Sequence, residues 1–517
     1  MQAPRRASLI IFLTAAPTLL VLAGLIGAWW SPAGDALQHQ WRYLLPEATL
    51  NTVVLVVIVS AGSAILGTLL AALIALTEFP GRRFFSWALL LPLAMPGYVL
   101  AAVFAGSLDY ASPLYTLIRE QFGWQLASVR SLPGAALVLT LTLFPYVYLI
   151  AKVAFESAAS RYTEAATLLG RTRLQATREI LLPLATPAIL AATALVAMET
   201  LADFGVVAAL NVDTLTTTLY RAWYGMFSLV TAQQIAGFLV VIAVVLLMLE
   251  HRARSAVRFR EYGGNAAHRQ RLSAWQSAAA LSFIGIILSS AFLWPTVHLI
   301  SWAREHFATD IDSRYFGYLT RSLLLAGSGA LVVVSVASVL AYARRSGPGV
   351  AGRLLAPVAT SGYAIPGTVL AVGLYVPLTQ TLPWLQGTLV ILMIAYLARF
   401  LAVSHAPVSA GLARLPSAVD EAATLLGSSV GERLQRIHWP MLRGSVAAAF
   451  VLTFVDLMKE LPITLLTRPF GFETLAVRVF ELTAEGEWER AAVPSLVLVL
   501  VGLWPLKWLA GKMPHAS

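Results

Sequence analysis

The sequence contains no cysteine, which excludes disulfide staples and every thiolate metal site. Charge is sparse. Asp, Glu, Lys and Arg together make up 12% of the 517 residues, about half the share a soluble domain carries. Also missing is the phosphate-binding loop G-x-x-x-x-G-K-[ST]; the one Gly-Lys pair, Gly511-Lys512, is followed by Met513. The chain lacks that device for binding ATP, so no catalytic residues and no bound cofactor are expected of it.

What fills the sequence instead is apolar: 58% of residues are hydrophobic, and they fall into runs long enough to cross a ~30 Å hydrocarbon layer, which takes roughly 20 residues. Twelve such spans can be marked, at 8–30, 50–76, 84–107, 133–155, 187–209, 232–250, 276–300, 320–343, 354–376, 386–408, 443–466 and 491–511. The fifth and eleventh carry acidic residues and read equally as broken or re-entrant helices. The first follows Arg5-Arg6 but ends in Trp29-Trp30 with no small-residue cleavage site, which reads as a retained anchor.

Arginines and lysines collect in alternate loops: Arg82-Arg83, Arg161 to Arg178, Arg252 to Arg271, Arg344 to Arg353, Arg414 to Arg443 and Lys512. If twelve helices alternate, all of these lie on one side with the N-terminus, and basic short loops stay cytoplasmic. The net charge of +10 is then a topological signature dispersed over loops, and no nucleic-acid partner is implied.

Seven residues, EAATLLG, occur twice, at Glu164–Gly170 and Glu421–Gly427, 257 residues apart. At the same offset Pro183 matches Pro440, Glu199 matches Asp456, Asp203 matches Glu460, Thr217 matches Thr474 and Arg221 matches Arg478. Upstream, Pro96-Gly97 matches Pro366-Gly367 at an offset of 270. The expected fold is therefore an all-α membrane protein of about twelve transmembrane helices in two parallel six-helix repeats. Its parts are 1–250, a cytoplasmic Arg-rich linker 251–275, and 276–517. An even number of helices brings both repeats into the membrane in the same sense.

Each EAA copy lies in a cytoplasmic loop, 161–183 or 418–440. Alanines make a slim helix that another protein can approach, and the glycine permits a turn that a side chain would block. The two copies, EAATLLGRTRLQATREILLP and EAATLLGSSVGERLQRIHWP, resemble the mark of permease subunits of binding-protein-dependent ABC importers. The resemblance implies that Glu164, Ala165, Ala166 and Gly170, and Glu421, Ala422, Ala423 and Gly427, form coupling helices. It implies two copies of a cytoplasmic ATPase that binds ATP-Mg, and a periplasmic binding protein as donor, with alternating access as the mechanism.

Intramembrane acids are costly and usually functional. Glu199 with Asp203, and Asp456 with Glu460, stand four residues apart, so each pair shares a helix face. Counted from Pro187 at about 1.5 Å per residue, Glu199 lies ~18 Å and Asp203 ~24 Å along the fifth span. Gly205 and Pro462 follow as helix breakers, and interrupted helices in matching positions point to a transport pathway. Two uses of the acids stay open: transient handling of a hard cation such as ferric iron, with Thr217 and Thr474 (and Thr200 and Tyr220) adding hydroxyls, or pairing with Lys459 and Arg221 and capping of helix ends. The segments METLADFGVVAALNVDTLTTTLYRAWYG and DLMKELPITLLTRPFGFETLAVRVFE look like fused ferric-iron permeases, which implies a periplasmic ferric-iron-binding protein and an inner-membrane location. Fused thiamine permeases share the architecture, and a proton-coupled carrier using the same acids is the reading of a different class. His298 and His405 read as structural hydrogen-bonding residues, and Pro96-Gly97 and Pro366-Gly367 as kinks in the third and ninth spans.

Overall fold

Inside hydrocarbon each backbone N–H and C=O has to be satisfied within the molecule, so apolar runs of this length fold as helices. The computed structural model describes residues 2–31, 35–125, 127–168, 170–255, 269–345 and 349–510. Among them the only strands are the pairs Thr77–Glu78 and Gln270–Arg271, joined in parallel. Nine helices among the described residues are long and apolar enough to cross a membrane, two further spans are bent helix pairs, and Ala492–Pro505 is a shorter apolar helix. Each of the twelve expected spans falls on one of these elements. Most of the linker expected at 251–275, and Lys512, lie outside the described residues.

The bent pairs are the third and ninth spans. Arg82–Ala94 meets Gly97–Ser107 at 85°, and Gly352–Ala364 meets Gly367–Thr381 at 117°. These are breaks rather than the kinks the sequence suggested. Pro96 and Pro366 have no N–H to donate, and a proline pushes the residue before it out of the helical region. Met95 and Ile365 are accordingly extended, with ψ of 113° and 128°.

The fifth and eleventh spans are broken as well. Leu182–Ala202 and Trp439–Lys459 stop at Asp203 and Glu460, and the chain restarts as the short helices Gly205–Ala209 and Pro462–Thr467. Both spans begin earlier than expected, at Arg173 and Gly431, and each passes through one π-helical turn, Thr177–Leu181 or Leu434–His438. Those turns lie at the same offset as the two EAA copies, so the repeat extends to a backbone irregularity.

The chain forms two compact units, residues 1–38, 219–240 and 312–478, and residues 39–218, 241–311 and 479–517. The first span therefore belongs with the eighth to eleventh, and the seventh with the second to fifth. In the former unit Ile11 and Ala15 of the first helix share a core with Ala337, Leu340, Ala359 and Leu401. Small residues allow the contact: a methyl at Gly24 would lie 2.7 Å from the Gly373 carbonyl oxygen. Without a hydrophobic drive between helices in lipid, close backbone approach of this kind is what holds them.

In the other unit Leu45–Leu76 packs along Leu132–Leu168 and Leu182–Ala202. A methyl at Gly67 would stand 2.7 Å from Val147 Cβ and 2.8 Å from the Tyr148 nitrogen. We expect Gly67→Val to destabilise the fold by about 1–3 kcal/mol, as overpacking does, read as a lowered unfolding temperature in detergent. Gly327→Ala, where nothing lies within 4 Å of the new methyl, should leave that temperature unchanged.

Candidate functional site

The second EAA copy forms its own helix, Ser417–Leu425, because Pro416 separates it from the tenth span, Leu389–Ala413. The matching residue of the first repeat is Ala159, and there the helix Leu132–Leu168 runs on without interruption through Glu164, Ala165 and Ala166. The side chains of those three residues lie outside the described set. Gly427 ends the second copy at φ 79°, a left-handed conformation that glycine adopts without steric cost. The N–H groups of Gly427 and Ser428 return to the carbonyls of Thr424 and Ala423, at 3.0 Å each, the Schellman pattern of a closed helix end. Gly170 has the same backbone, φ 74°.

This closure presents an apolar tip. Leu425 and Leu426 are 89% and 86% exposed, Glu421 and Ala422 are exposed beside them, and Ala423 faces inward. Asp420 fastens the helix to its unit. It accepts from Arg345 Nε at 3.0 Å and Nη2 at 2.7 Å, and from His438 Nε2 at 2.7 Å. Arg345 also binds the Leu412 and Leu415 carbonyls, at 2.6 and 3.1 Å. One guanidinium thus ties the eighth span, the end of the tenth and the helix Ser417–Leu425 together. The sequence reading passed over Asp420 because the first repeat has Thr163 in its place; its adjacency to Glu421 was the available signal.

Burial alone would push the Asp420 carboxyl up, but the bonds from Arg345 and His438 outweigh it and hold the carboxyl below its ordinary value of 3.8. A depressed folded value stabilises fully above the unfolded one and is lost as pH falls through the folded value. The anchor is therefore complete at neutral pH. Asp420→Ala should loosen the helix Ser417–Leu425, seen as faster amide exchange over 417–427 with the membrane spans unaffected; unchanged exchange would remove Asp420 from this role.

The acidic breaks are built alike in both repeats. A helix that restarts in an apolar setting leaves its first N–H groups without partners. Asp203 Oδ1 takes those of Val206 at 3.0 Å and Val207 at 3.2 Å. Glu460 Oε1 takes that of Ile463 at 2.8 Å, and Oε2 takes the Thr464 N–H at 2.9 Å and its hydroxyl at 2.7 Å. Both acids are helix caps.

The repeats differ in what remains. Among the described residues Asp203 Oδ2 takes no hydrogen bond, and Glu199, half-buried one turn earlier, forms none and no ion pair. Both Glu460 oxygens are engaged, and Thr464 passes the network on to the Tyr396 hydroxyl at 2.6 Å. Arg399 lies within electrostatic reach of Glu460 and donates to the Ile365 carbonyl at 3.0 Å, bridging the acidic break and the Pro366 break. The first repeat has Thr142 there, its hydroxyl spent on Val138 and Leu139 carbonyls, 3.1 Å each. Asp456 and Lys459 interact electrostatically.

Within each unit the two breaks meet. A methyl at Gly205 would stand 2.8 Å from Tyr98 Cβ, and one at Gly367 would stand 3.1 Å from Pro462 Cγ and 3.4 Å from Glu460 Oε1. The helix after each Pro-Gly break therefore packs directly on the helix after the matching acidic break.

Thr217 and Thr474 do not occupy equivalent places, which corrects the single offset of 257. Thr217 Oγ1 closes the turn that opens Leu215–Tyr220, accepting from the Thr214 N–H at 2.8 Å and donating to the Thr214 carbonyl at 3.0 Å, whereas Thr474 itself opens Leu475–Ala484, its oxygen taking the Val477 N–H at 3.4 Å. The N–H groups of Leu215 and Leu475 are received by Thr52 at 3.0 Å and Ser322 at 2.8 Å. Thr214 therefore matches Thr474, 260 residues away, and Asn211-Val212-Asp213-Thr214-Leu215 matches Gly471-Phe472-Glu473-Thr474-Leu475. Asn211 and Gly471 share positive φ, 55° and 73°. The second repeat carries three more residues between its acidic break and this turn. Of the two histidines, His405 bonds Ser409 Oγ at 3.0 Å through Nε2, whereas His298 lies edge-on to Trp294 and tilted to Trp302, at 5.1 and 5.4 Å, with no hydrogen bond to its Nδ1 among the described residues.

Residues 64–250 match the family described as the binding-protein-dependent transport system inner membrane component. That stretch, which contains the first EAA copy, is similar to the membrane permease subunits of binding-protein-dependent importers. Ferric permeases are similar over most of its length. The Fe(3+)-transport system permease protein FbpB 2 of Haemophilus influenzae is 26% identical over 468 residues, 89% of this chain and 88% of the relative. The ferric transport system permease protein FbpB of Actinobacillus pleuropneumoniae is 21% identical over 451 residues, 82% of this chain and 64% of the relative. A shorter match, 31% identical over 155 residues, 29% of this chain and 53% of the relative, is to the sulfate transport system permease protein CysT of Salmonella typhimurium.

Proposed function

We propose that the chain is the membrane subunit of an ATP-driven importer that moves ferric iron from a periplasmic binding protein into the cytoplasm. The observation that carries the cargo is the pair Glu199 and Asp203, whose oxygens Oε1, Oε2 and Oδ2 are left over after helix capping. Hard cations prefer oxygen donors, and a carboxylate pair repels an anion such as sulfate. The similarity of ferric permeases over 89% of the chain agrees with that choice.

On this reading the N-terminus and both EAA segments are cytoplasmic, and two copies of an ATPase, which bind ATP-Mg where this chain binds no cofactor, each receive one coupling helix. ATP binding draws the ATPases together, the coupling helices follow, and the pathway opens to the periplasmic side. The docked binding protein then releases its ion, and hydrolysis resets the inward-facing state. The meeting of two helix breaks in each unit supplies backbone able to change direction in such a cycle.

The test is side-by-side accumulation of labelled ferric ion, thiamine and sulfate by cells lacking this chain, with and without its restoration. Restored, vanadate-sensitive iron accumulation alone supports the proposal. Restored thiamine or sulfate keeps the class and replaces the cargo, and vanadate-insensitive uptake driven by a proton gradient would move the chain to a carrier class.

A further inference from the structure

A second group of potential cation ligands lies near the end of the seventh span, two turns beyond His298. Glu305 and His306 are on the helix Trp294–Asp310, and Glu489 lies in the segment that follows Leu475–Ala484. One ligand atom of each comes within 4.8 Å of the others, and among the described residues it is the one such trio. We infer that Glu305, His306 and Glu489 form an exposed entry site for a transition-metal cation, ferric iron if the cargo assigned above holds.

The imidazole is oriented for the task. His306 Nδ1 lies 3.2 Å from the Trp302 carbonyl, and a carbonyl can only accept, so Nδ1 carries a proton and donates it. In the neutral imidazole that leaves the Nε2 lone pair turned outward, the arrangement that backbone carbonyls impose on metal-binding histidines. Nε2 faces Glu489 Oε2 at 3.6 Å, too long for a hydrogen bond. Two ligands bound to one ion at about 2.0–2.2 Å stand roughly 3–3.6 Å apart for octahedral to tetrahedral angles, so the gap matches an ion held between them.

The segment bearing Glu489 is held on both sides. Arg490 Nε binds Asp310 Oδ1 at 3.0 Å, which fixes it to the end of the helix that carries the other two ligands. Trp488 is packed so tightly on Gly106 that a methyl there would lie 2.8 Å from its Cβ, and the Arg130 guanidinium stands 5.1 Å over its ring. Asp310 thus occupies the neighbouring cation, Arg490, and leaves the Glu489 carboxylate to the cluster.

Two carboxylates and an imidazole form a donor set suited to iron and zinc. Three protein ligands leave coordination positions open, as in sites that exchange their ligands rather than store an ion. The Glu489 side chain is 55% exposed, so an arriving ion is not screened off. On the proposed topology the seventh span ends at the periplasmic face, where cargo is first released; this placement rests on that reading.

The experiment is equilibrium dialysis of the detergent-purified full chain against ferric nitrilotriacetate, and separately against cobalt chloride, with bound metal counted by plasma mass spectrometry. Wild type is compared with His306→Gln and Glu489→Gln, and with Glu199→Gln to register metal held elsewhere. Each of the first two should weaken binding of about one equivalent by roughly 10-fold or more, while Glu199→Gln leaves that equivalent in place. Identical binding by wild type, His306→Gln and Glu489→Gln would overturn the site and leave a plain His–Glu ion pair. Because the assay needs neither ATPase nor uptake, it separates the two claims. Metal lost in the variants, in a chain that restores no iron accumulation to cells, keeps the site and overturns the cargo.

Discussion

Iron uptake should fall by roughly 100-fold or more when Glu199→Gln and Asp203→Asn are combined, since even outer partners of a metal site are worth 10–100-fold. The chain should remain folded and in the membrane. Asparagine is as good a cap as aspartate, so the Val206 and Val207 N–H groups that Asp203 now receives at 3.0 and 3.2 Å keep an acceptor. What the double variant removes is charge and free carboxylate oxygen. The expected result is measured as initial rates of labelled ferric uptake at equal membrane content. A normal rate would take both acids out of the pathway. The corresponding change in the second repeat is a different experiment. Glu460 has both oxygens committed, so Glu460→Ala strands buried N–H groups at about 1–3 kcal/mol and should show first as lost yield.

Leu425→Asp with Leu426→Asp should abolish ATPase docking at the second repeat. The two side chains stand 89% and 86% exposed at a helix end closed by Gly427 and moored through Asp420. Burying a leucine is worth about 1.5–3 kcal/mol, so losing two from an interface costs about 3 kcal/mol or more, roughly 100-fold in affinity. The EAA copy at Glu164 is untouched, so ATPase recovered with the tagged permease should drop towards a single copy. Adding Glu164→Lys should remove the remainder. Full recovery with both changes in place would contradict docking through these segments.

The class of this protein was legible because its signals are local. Runs of apolar residues give the spans, Pro96 and Pro366 mark where the third and ninth spans bend though not that they break, and two copies of EAATLLG announce a repeat. What escaped depends on residues far apart in sequence. Membership of the first span with the eighth to eleventh rests on close contacts such as Gly24 with Gly373, and small residues in apolar helices carry no periodic signature. The Arg345–Asp420 mooring joins positions 75 residues apart and has no counterpart at Thr163, so comparison of the repeats passed over it. The three-residue shift between Thr214 and Thr474 was hidden by assuming one offset, although NVDTL and GFETL were both in view. The capping by Asp203 and Glu460 stood as one of two open uses. Only backbone geometry distinguishes oxygens that are committed from those left over.

The most direct test of the account is transport by the purified permease, reconstituted in proteoliposomes with its ATPase inside and its iron-loaded binding protein outside. The account predicts accumulation of labelled ferric ion that requires lumenal ATP and stops with vanadate. An assembled complex that hydrolyses ATP in response to the binding protein yet accumulates no iron would contradict it.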